Sequence, residues 1–279
     1  MENKRVLVIG GSGYLGKEIV TQLSHEHYKI TILSRNPKKF AGVSTIKTDL
    51  MNKEELLRYV KEFDIIVYLA AVIRSFNRAK YQENPEGLKN ILEVMHHNKV
   101  SRMVYFSTQN VYIKKTGPYG SSKKECEELV FNSGLDYIIV RPNYVYGIDK
   151  RNDFYRLIKL IKTFRICPVI GNGDVKFQPV NKNDVARITV ELIKNFKAKA
   201  IIDISGNETI TINDIIGEIK KITGISFITV HIPVILLQLF RRFIPFDAIE
   251  FTSDRLAKNP CSFKIYSSIR EDLKKILQI

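Results

Sequence analysis

The run "RVLVIGGSGYLGKEIV", residues 5–20, constrains the fold more than any other stretch of this chain. A short apolar segment enters a loop with glycines at 10, 13 and 16, and the chain leaves that loop with helical spacing at Ile19, Val20 and Leu23. In a strand-loop-helix unit of this kind, the first glycine permits a tight turn and the second lets backbone approach a pyrophosphate. The third lets the helix pack closely. Gly10, Ser12, Gly13, Tyr14, Leu15 and Gly16 are therefore expected to hold a dinucleotide. A purely structural glycine turn is the alternative, and the strand before and helix after argue for the ligand.

Similar runs rich in Val and Ile recur at 29–33, 64–69, 102–106, 137–141 and 200–204. Between them the spacing is helical, as at Leu88, Ile91, Leu92 and Met95. Short continuous apolar runs suit strands buried on both faces. Their alternation with helices predicts an α/β fold, a Rossmann-like doubly wound parallel sheet with right-handed crossovers. The rhythm loosens after about residue 143. The expected organisation is a dinucleotide-binding domain over 1–205, with 144–176 contributing to a small substrate lobe, and a C-terminal lobe segment over 206–279.

Charge narrows the function classes. The formal net charge of +15 invites a nucleic-acid reading. The cations are scattered, however, and no zinc-finger or RNP pattern accompanies them, so nucleic acid is not expected as a partner. A solvated basic surface, steering of an anionic substrate and attraction to anionic lipid stay open. Cys126, Cys167 and Cys261 are far apart, and the five histidines, at 25, 27, 96, 97 and 231, make no metal spacing, so neither disulfide nor metal is expected. The start, MENKR, carries no signal-peptide pattern, and a cytoplasmic setting is expected. The apolar stretch 227–246 is broken by His231, Pro233 and the Arg241/Arg242 pair, too interrupted for a transmembrane helix. It reads first as a buried helix of the lobe. Peripheral membrane contact through 232–244 is the other reading.

The second strand ends in "ILSRNPKKF", where an NAD site usually offers a carboxylate to the ribose. Ser34 and Arg35 stand there instead, and a guanidinium pairs well with a 2′-phosphate. NADP(H) is thus expected ahead of NAD(H), with basic residues that merely face water as the alternative. Asp49 of "IKTDLMN", beside Leu50, can accept from the adenine amino group or help cap the helix starting near Asn52. Leu69, Ala70 and Ala71 of "YLAAV" permit close approach of a cofactor. The run "RMVYFSTQNVY" brings Ser107 and Thr108 to the carboxyl edge of the sheet, where open α/β folds bind ligands. Tyr119 and Lys123 of "GPYGSSKKECEEL" are four apart and share a helix face. A hydride exchanged at a carbon bearing oxygen needs a proton moved on or off that oxygen. A phenol has a pKa of about 10, and a nearby ammonium lowers it. Tyr119 is expected as the acid/base, Lys123 as the group that tunes it and binds ribose hydroxyls, and Thr108 as the holder of the substrate oxygen.

These motifs, with "NPEGLKNILE", "RPNYVYG" and "GNGDVKFQPVNKNDVA", occur in an order that resembles the short-chain dehydrogenase/reductase superfamily. The resemblance is to its extended or atypical branch of epimerases, dehydratases and ketoreductases. It spans 5 to about 205. It implies catalytic roles for Thr108, Tyr119 and Lys123, and places Asn84 beneath the cofactor and Pro142 beside the nicotinamide. Asp184 looks structural, fastening the returning helix. A homodimer through helices at 81–97 and 118–133 is also implied by resemblance.

Two departures bear on substrate. Tyr144 occupies a position where nucleotide-sugar epimerases commonly have Asn, and Phe177 stands where many carry an Arg for the substrate diphosphate. In these features the chain is similar to the NADPH-binding accessory subunit of respiratory complex I, although it keeps the Tyr/Lys pair. The expected function is an NADP(H)-dependent oxidoreductase, epimerase or dehydratase acting on a nucleotide-sugar or similar anionic compound. The alternative is a non-catalytic NADPH-binding assembly or sensing protein at a membrane complex.

Overall fold

The computed structural model describes residues 4–240, 242–245 and 248–278. Arg241 and Phe246 of the apolar 227–246 segment lie outside the described residues. The strands are β1 (Arg5–Ile9), β2 (Lys29–Ser34), β3 (Ser44–Lys47), β4 (Ile65–Tyr68), β5 (Arg102–Phe106), β6 (Asp136–Pro142), β7 (Val145–Tyr146), β8 (Ile166–Ile170), β9 (Val180–Asn181), β10 (Ala200–Ile204) and β11 (Ile228–Ile232). The helices are α1 (Tyr14–His25), α2 (Lys53–Tyr59), α3 (Glu83–His97), α4 (Pro118–Phe131), α5 (Asp153–Phe164), α6 (Lys182–Lys194), α7 (Ile212–Thr223), α8 (Val234–Leu239) and α9 (Ile269–Leu277).

Seven strands form a parallel sheet in the order β3-β2-β1-β4-β5-β6-β10. The winding runs outward from β1 in one direction and from β4 in the other. This is the doubly wound Rossmann-like order, and it opens a crevice past the carboxyl ends of β1 and β4. The period of two along each strand explains why both faces are covered. Val6 and Val8 pack with Ile19, Val20 and Leu23 of α1 and with Val185 and Ile188 of α6. Leu7 and Ile9 point to the other face, against Leu88, Ile91 and Met95 of α3 and Cys126 and Val130 of α4.

A third apolar cluster lies outside the sheet. It joins Tyr146, Phe154, Ile158 and Ile161 to Ile215 and Ile219 of α7 and to Ile269, Leu273 and Ile276 of α9. Its residues come from chain on both sides of α6 and β10, so two separate stretches of sequence build it. Asp184, 3% exposed, accepts from the backbone of Tyr266 and Ser267 and so ties α6 to the segment leading into α9.

Two glycines make the crevice possible. Gly10 has φ of +84°, and a Cβ there would stand 2.9 Å from the backbone nitrogen of Ala70. The ends of β1 and β4 therefore meet with no room for a side chain. At Gly16 a Cβ would stand 2.4 Å from the carbonyl oxygen of Gly10. Helix α1 thus sits directly on the loop that precedes it. The glycine spacing is demanded by the packing of the loop on itself, before any ligand arrives. At Gly13 the nearest atom would be 3.1 Å away, a tight contact that small shifts relieve. Gly16→Ala is expected to destabilise the protein by about 1–3 kcal/mol in urea titration, and Gly13→Ala by clearly less.

Candidate active site

The crevice continues into a cavity of about 1190 Å³. Its inner end is lined by Gly10, Ser12, Gly13, Tyr14, Leu15 and Gly16 of the glycine loop and by Ser34 and Arg35 after β2. Asp49 and Leu50 follow β3, and Leu69, Ala70 and Ala71 follow β4. Asn84 of α3, Ser107 and Thr108 after β5, Tyr119 and Lys123 of α4, and Pro142 at the end of β6 complete that wall. Every residue singled out from sequence as cofactor-binding or catalytic faces this one space.

Lys123 is 2% exposed and points inward from α4. Its ammonium donates to the carbonyl oxygen of Phe106 and lies 4.4 Å from the centroid of the Tyr105 ring. Burial disfavours the charged form, and the Lys123 ammonium is pushed down from its usual value to about 8. Tyr119 behaves differently from the expectation of an ammonium-lowered phenol. Burial, with the Glu250 carboxylate adding to it, pushes its hydroxyl well above the usual tyrosine value. In the protein alone Lys123 is engaged by the β5 backbone, and desolvation of Tyr119 wins. The phenol is accordingly a protonated donor at neutral pH. Thr108 caps the short 3-10 turn Gln109–Tyr112, its hydroxyl accepting from the Asn110 backbone at 3.3 Å, and it remains half-buried at the cavity wall.

Three other expectations acquire definite geometry. Asn84 is 4% exposed, and its side chain is committed to protein partners. Its Oδ1 accepts from Val72 N at 2.6 Å, and its Nδ2 donates to Val72 O and to Ser122 Oγ at 2.9 Å. It locks the loop after β4 against α4. Arg35 is exposed and has a carboxylate neighbour, Glu83, at 3.9 Å. Asp49 accepts from Met51 N at 3.0 Å, and the cap of α2 is Asn52, whose side chain accepts from Glu55 N.

The residues missed in the sequence lie one turn further along α4 and at the cavity's outer end. Glu127 continues the Tyr119, Lys123 spacing by another four residues. It receives both Nε and a terminal nitrogen of Arg141, at 2.8 and 2.6 Å, in a buried bidentate pair. Arg141 also donates to Tyr112 Oη at 2.9 Å, and that hydroxyl lies at 2.9 and 3.0 Å from the carboxylate oxygens of Asp203. Asp203 is fully buried and accepts from the backbone of Lys258 and Asn259. The i+8 spacing was readable; the partner on β6 was not. Further out, Asp153 accepts from Arg74 at 2.8 Å and from Tyr144 Oη at 3.0 Å. Arg255 lies against the rings of Phe177 and Phe251, its guanidinium carbon 5.7 Å from each centroid. Arg74, Tyr144, Asp153, Phe177, Phe251 and Arg255 line the same cavity, and the Glu127–Arg141 network lies behind its wall.

The inner end fits a dinucleotide. The first turn of α1 has no side-chain cap on Gly13 and no acidic residue, so its backbone N–H groups are available to an anion. Ser107 Oγ is buried in the wall without a hydrogen-bond partner among the described residues. The close approach enforced at Gly10 and Gly16 leaves the cradle open where a pyrophosphate would lie.

A family model described as the NAD dependent epimerase/dehydratase family matches residues 6–205. Among curated proteins, the chain is 24% identical over 252 residues to an N-acetyl-alpha-D-glucosaminyl-diphospho-ditrans,octacis-undecaprenol 4-epimerase of Escherichia coli, covering 83% of this chain and 76% of the relative. It is 25% identical to a Photosystem II assembly factor of Cyanophora paradoxa, covering 98% of this chain and 87% of that protein. Among solved structures, UDP-glucuronic acid 4-epimerase from Bacillus cereus in complex with UDP-glucuronic acid and NAD superposes with a TM-score of 0.78. That match has 21% identity and covers 98% of each chain, a likeness of fold.

Glu127→Ala leaves the Arg141 charge buried and short of its carboxylate. It is expected to cost about 3–5 kcal/mol in denaturant unfolding, against little for exposed Glu128→Ala. Lys123 has a folded-state pKa of about 8, below its ordinary 10.5, so its penalty on stability is fully present below about pH 8 and is relieved as pH rises above it. Between pH 8 and 9.5 the cofactor-free parent should therefore gain stability relative to Lys123→Met, read as a rising difference in urea midpoint.

Proposed function

The chain belongs to the NAD-dependent epimerase/dehydratase family, and from that premise we propose that it is an NADP(H)-dependent enzyme of this type acting on a nucleoside-diphosphate sugar. The observation that carries the reading is that Thr108, Tyr119 and Lys123 line one cavity together with the glycine loop and with Arg74, Arg156 and Arg255. Arg255, with its Nε buried and without a hydrogen-bond partner among the described residues, is the cation best placed to take the diphosphate role for which sequence offered only Phe177. Tyr144, Phe177 and Phe251 supply flat apolar surface for a base or a sugar ring.

A bound nicotinamide supplies the hydride acceptor and donor. The protein's own part is proton control and positioning. Thr108 Oγ1 holds the substrate oxygen, and Tyr119 Oη gives a proton to that oxygen or takes one from it. Burial keeps Tyr119 protonated in the free protein, which suits the donating direction. Taking a proton requires a cation within reach, and Lys123 is the ammonium that shares its buried wall. Lys123 also lies where it can hold ribose hydroxyls. The cofactor preference rests on Arg35, with Ser34, Asn36 and Lys38 on the same wall. The pair with Glu83 is long and exposed, and a phosphate dianion would compete for the guanidinium on favourable terms.

A second reading is an assembly protein that binds the dinucleotide without turnover. The similarity to a Photosystem II assembly factor favours it, as does a broad exposed apolar surface around α8. The two separate on Tyr119→Phe. For an enzyme, turnover of an active UDP- or dTDP-sugar is expected to fall by about 10²–10⁴-fold while NADPH binding, followed by fluorescence, stays unchanged. Equal turnover by the variant would exclude the acid/base role. Arg35→Asp should weaken NADP(H) binding by about 10–100-fold and leave NAD(H) binding little altered, measured by calorimetry.

A further inference from the structure

The outer face of the small β8/β11 sheet is apolar from end to end. Cys167 and Val169 of β8 turn inward and are buried, which leaves Ile166, Pro168 and Ile170 on the outside. Strand β11 sets Ile228, Val230 and Ile232 beside them in register. Helix α8 continues this surface without burying a single residue. Ile228 is 70% exposed, Ile235 68%, Leu239 74% and Phe243 76%. Soluble monomers seldom leave so much contiguous apolar surface in water.

The segments that build this face carry only one sign of charge. Residues 154–173 contain Arg156, Lys159, Lys162 and Arg165 and no Asp or Glu. Residues 219–246 contain Lys220, Lys221, Arg241 and Arg242 and again no Asp or Glu. Arg156 pairs with Asp153 at the cavity side of α5, and the other seven cations of these two runs make up nearly half of the net charge of +15. Arg165 stands between exposed Phe164 and Ile166, and the Lys220 ammonium lies over the ring of Phe227 at the entry to β11. An apolar face with a cationic border matches an anionic bilayer: the apolar groups enter the headgroup boundary while the cations meet lipid phosphates. A second copy of the chain would bring two cationic borders together, which counts against self-association here.

We propose that the outer β8/β11 face and α8 form a docking surface for an anionic lipid bilayer. Among the described residues no helix is long and apolar enough to cross a membrane, so the contact is peripheral. Ile170 and Pro245 line the outer end of the cavity. Docking therefore brings the cavity mouth to the lipid surface. The docking stands independently of which sugar is turned over.

The test is sedimentation of the full chain with vesicles of phosphatidylcholine, with and without phosphatidylglycerol, for the parent and for a Leu239→Glu/Phe240→Glu double variant. Both positions are exposed, and circular dichroism with NADPH binding checks that the variant stays folded. The parent is expected to bind the phosphatidylglycerol vesicles, and the variant to lose at least about tenfold in partitioning. High salt should weaken the parent's binding. No binding by the parent to anionic vesicles overturns the proposal. Equal binding by the variant also overturns it, since charge alone would then suffice. A parent dimer in light scattering that becomes monomeric in the double variant overturns it as well, by showing a second copy on the face.

Discussion

The buried pair between Arg141 on β6 and Glu127 on α4 fixes the helix that carries Tyr119 and Lys123 against the sheet. Tyr119, Lys123 and Glu127 follow one another at four-residue intervals on α4, so the helix face that carries the candidate acid/base pair is also the face clamped to the sheet. A charge pair so far from water is stable only when its geometry is good and its remaining groups are satisfied. Here the guanidinium reaches Tyr112, Tyr112 reaches Asp203 on β10, and Asp203 takes the backbone of Lys258 and Asn259. One connected network thereby sets helix, sheet edge and C-terminal segment in a single arrangement.

On the other side of the crevice the constraint is steric. Gly10 and Gly16 remove the side chains that would separate β1, β4 and α1, and Asn84 holds the loop after β4 against α4. The glycine-loop end of the cavity and the wall carrying Tyr119 and Lys123 are consequently joined by close packing and by the Asn84 side chain. The lobe adds the outer wall, with Asp153 receiving Arg74 from the sheet side and Tyr144 from the lobe side. A substrate bridging that wall and Tyr119 would feel both parts of the fold.

Much of this was readable because it is periodic. Strands β1, β2, β4, β5, β6 and β10 follow continuous Val- and Ile-rich runs, and burial on both faces leaves such runs no other comfortable conformation. The glycine loop, the Tyr119/Lys123 spacing and the small residues after β4 are local patterns. What escaped was long-range. Arg255 lies far along the chain from the Phe177 ring it covers, and no local spacing connects them. The phenol of Tyr119 illustrates a second gap: proximity to Lys123 along a helix suggested a lowered pKa, but burial acts the other way and the ammonium is held by Phe106. The apolar 227–246 stretch reads first as a buried helix, yet no residue of α8 is buried.

By itself, the sequence determined the α/β alternation, the dinucleotide loop and the set of groups able to exchange a proton. Each of these depends on residue type and short spacing, which act within one strand, loop or helix. The tertiary structure alone decided which cation meets the outer cavity, which carboxylate neutralises Arg141, and which apolar face stays open to solvent. Those outcomes depend on side chains brought together from distant segments, and on the desolvation that the assembled fold imposes on them.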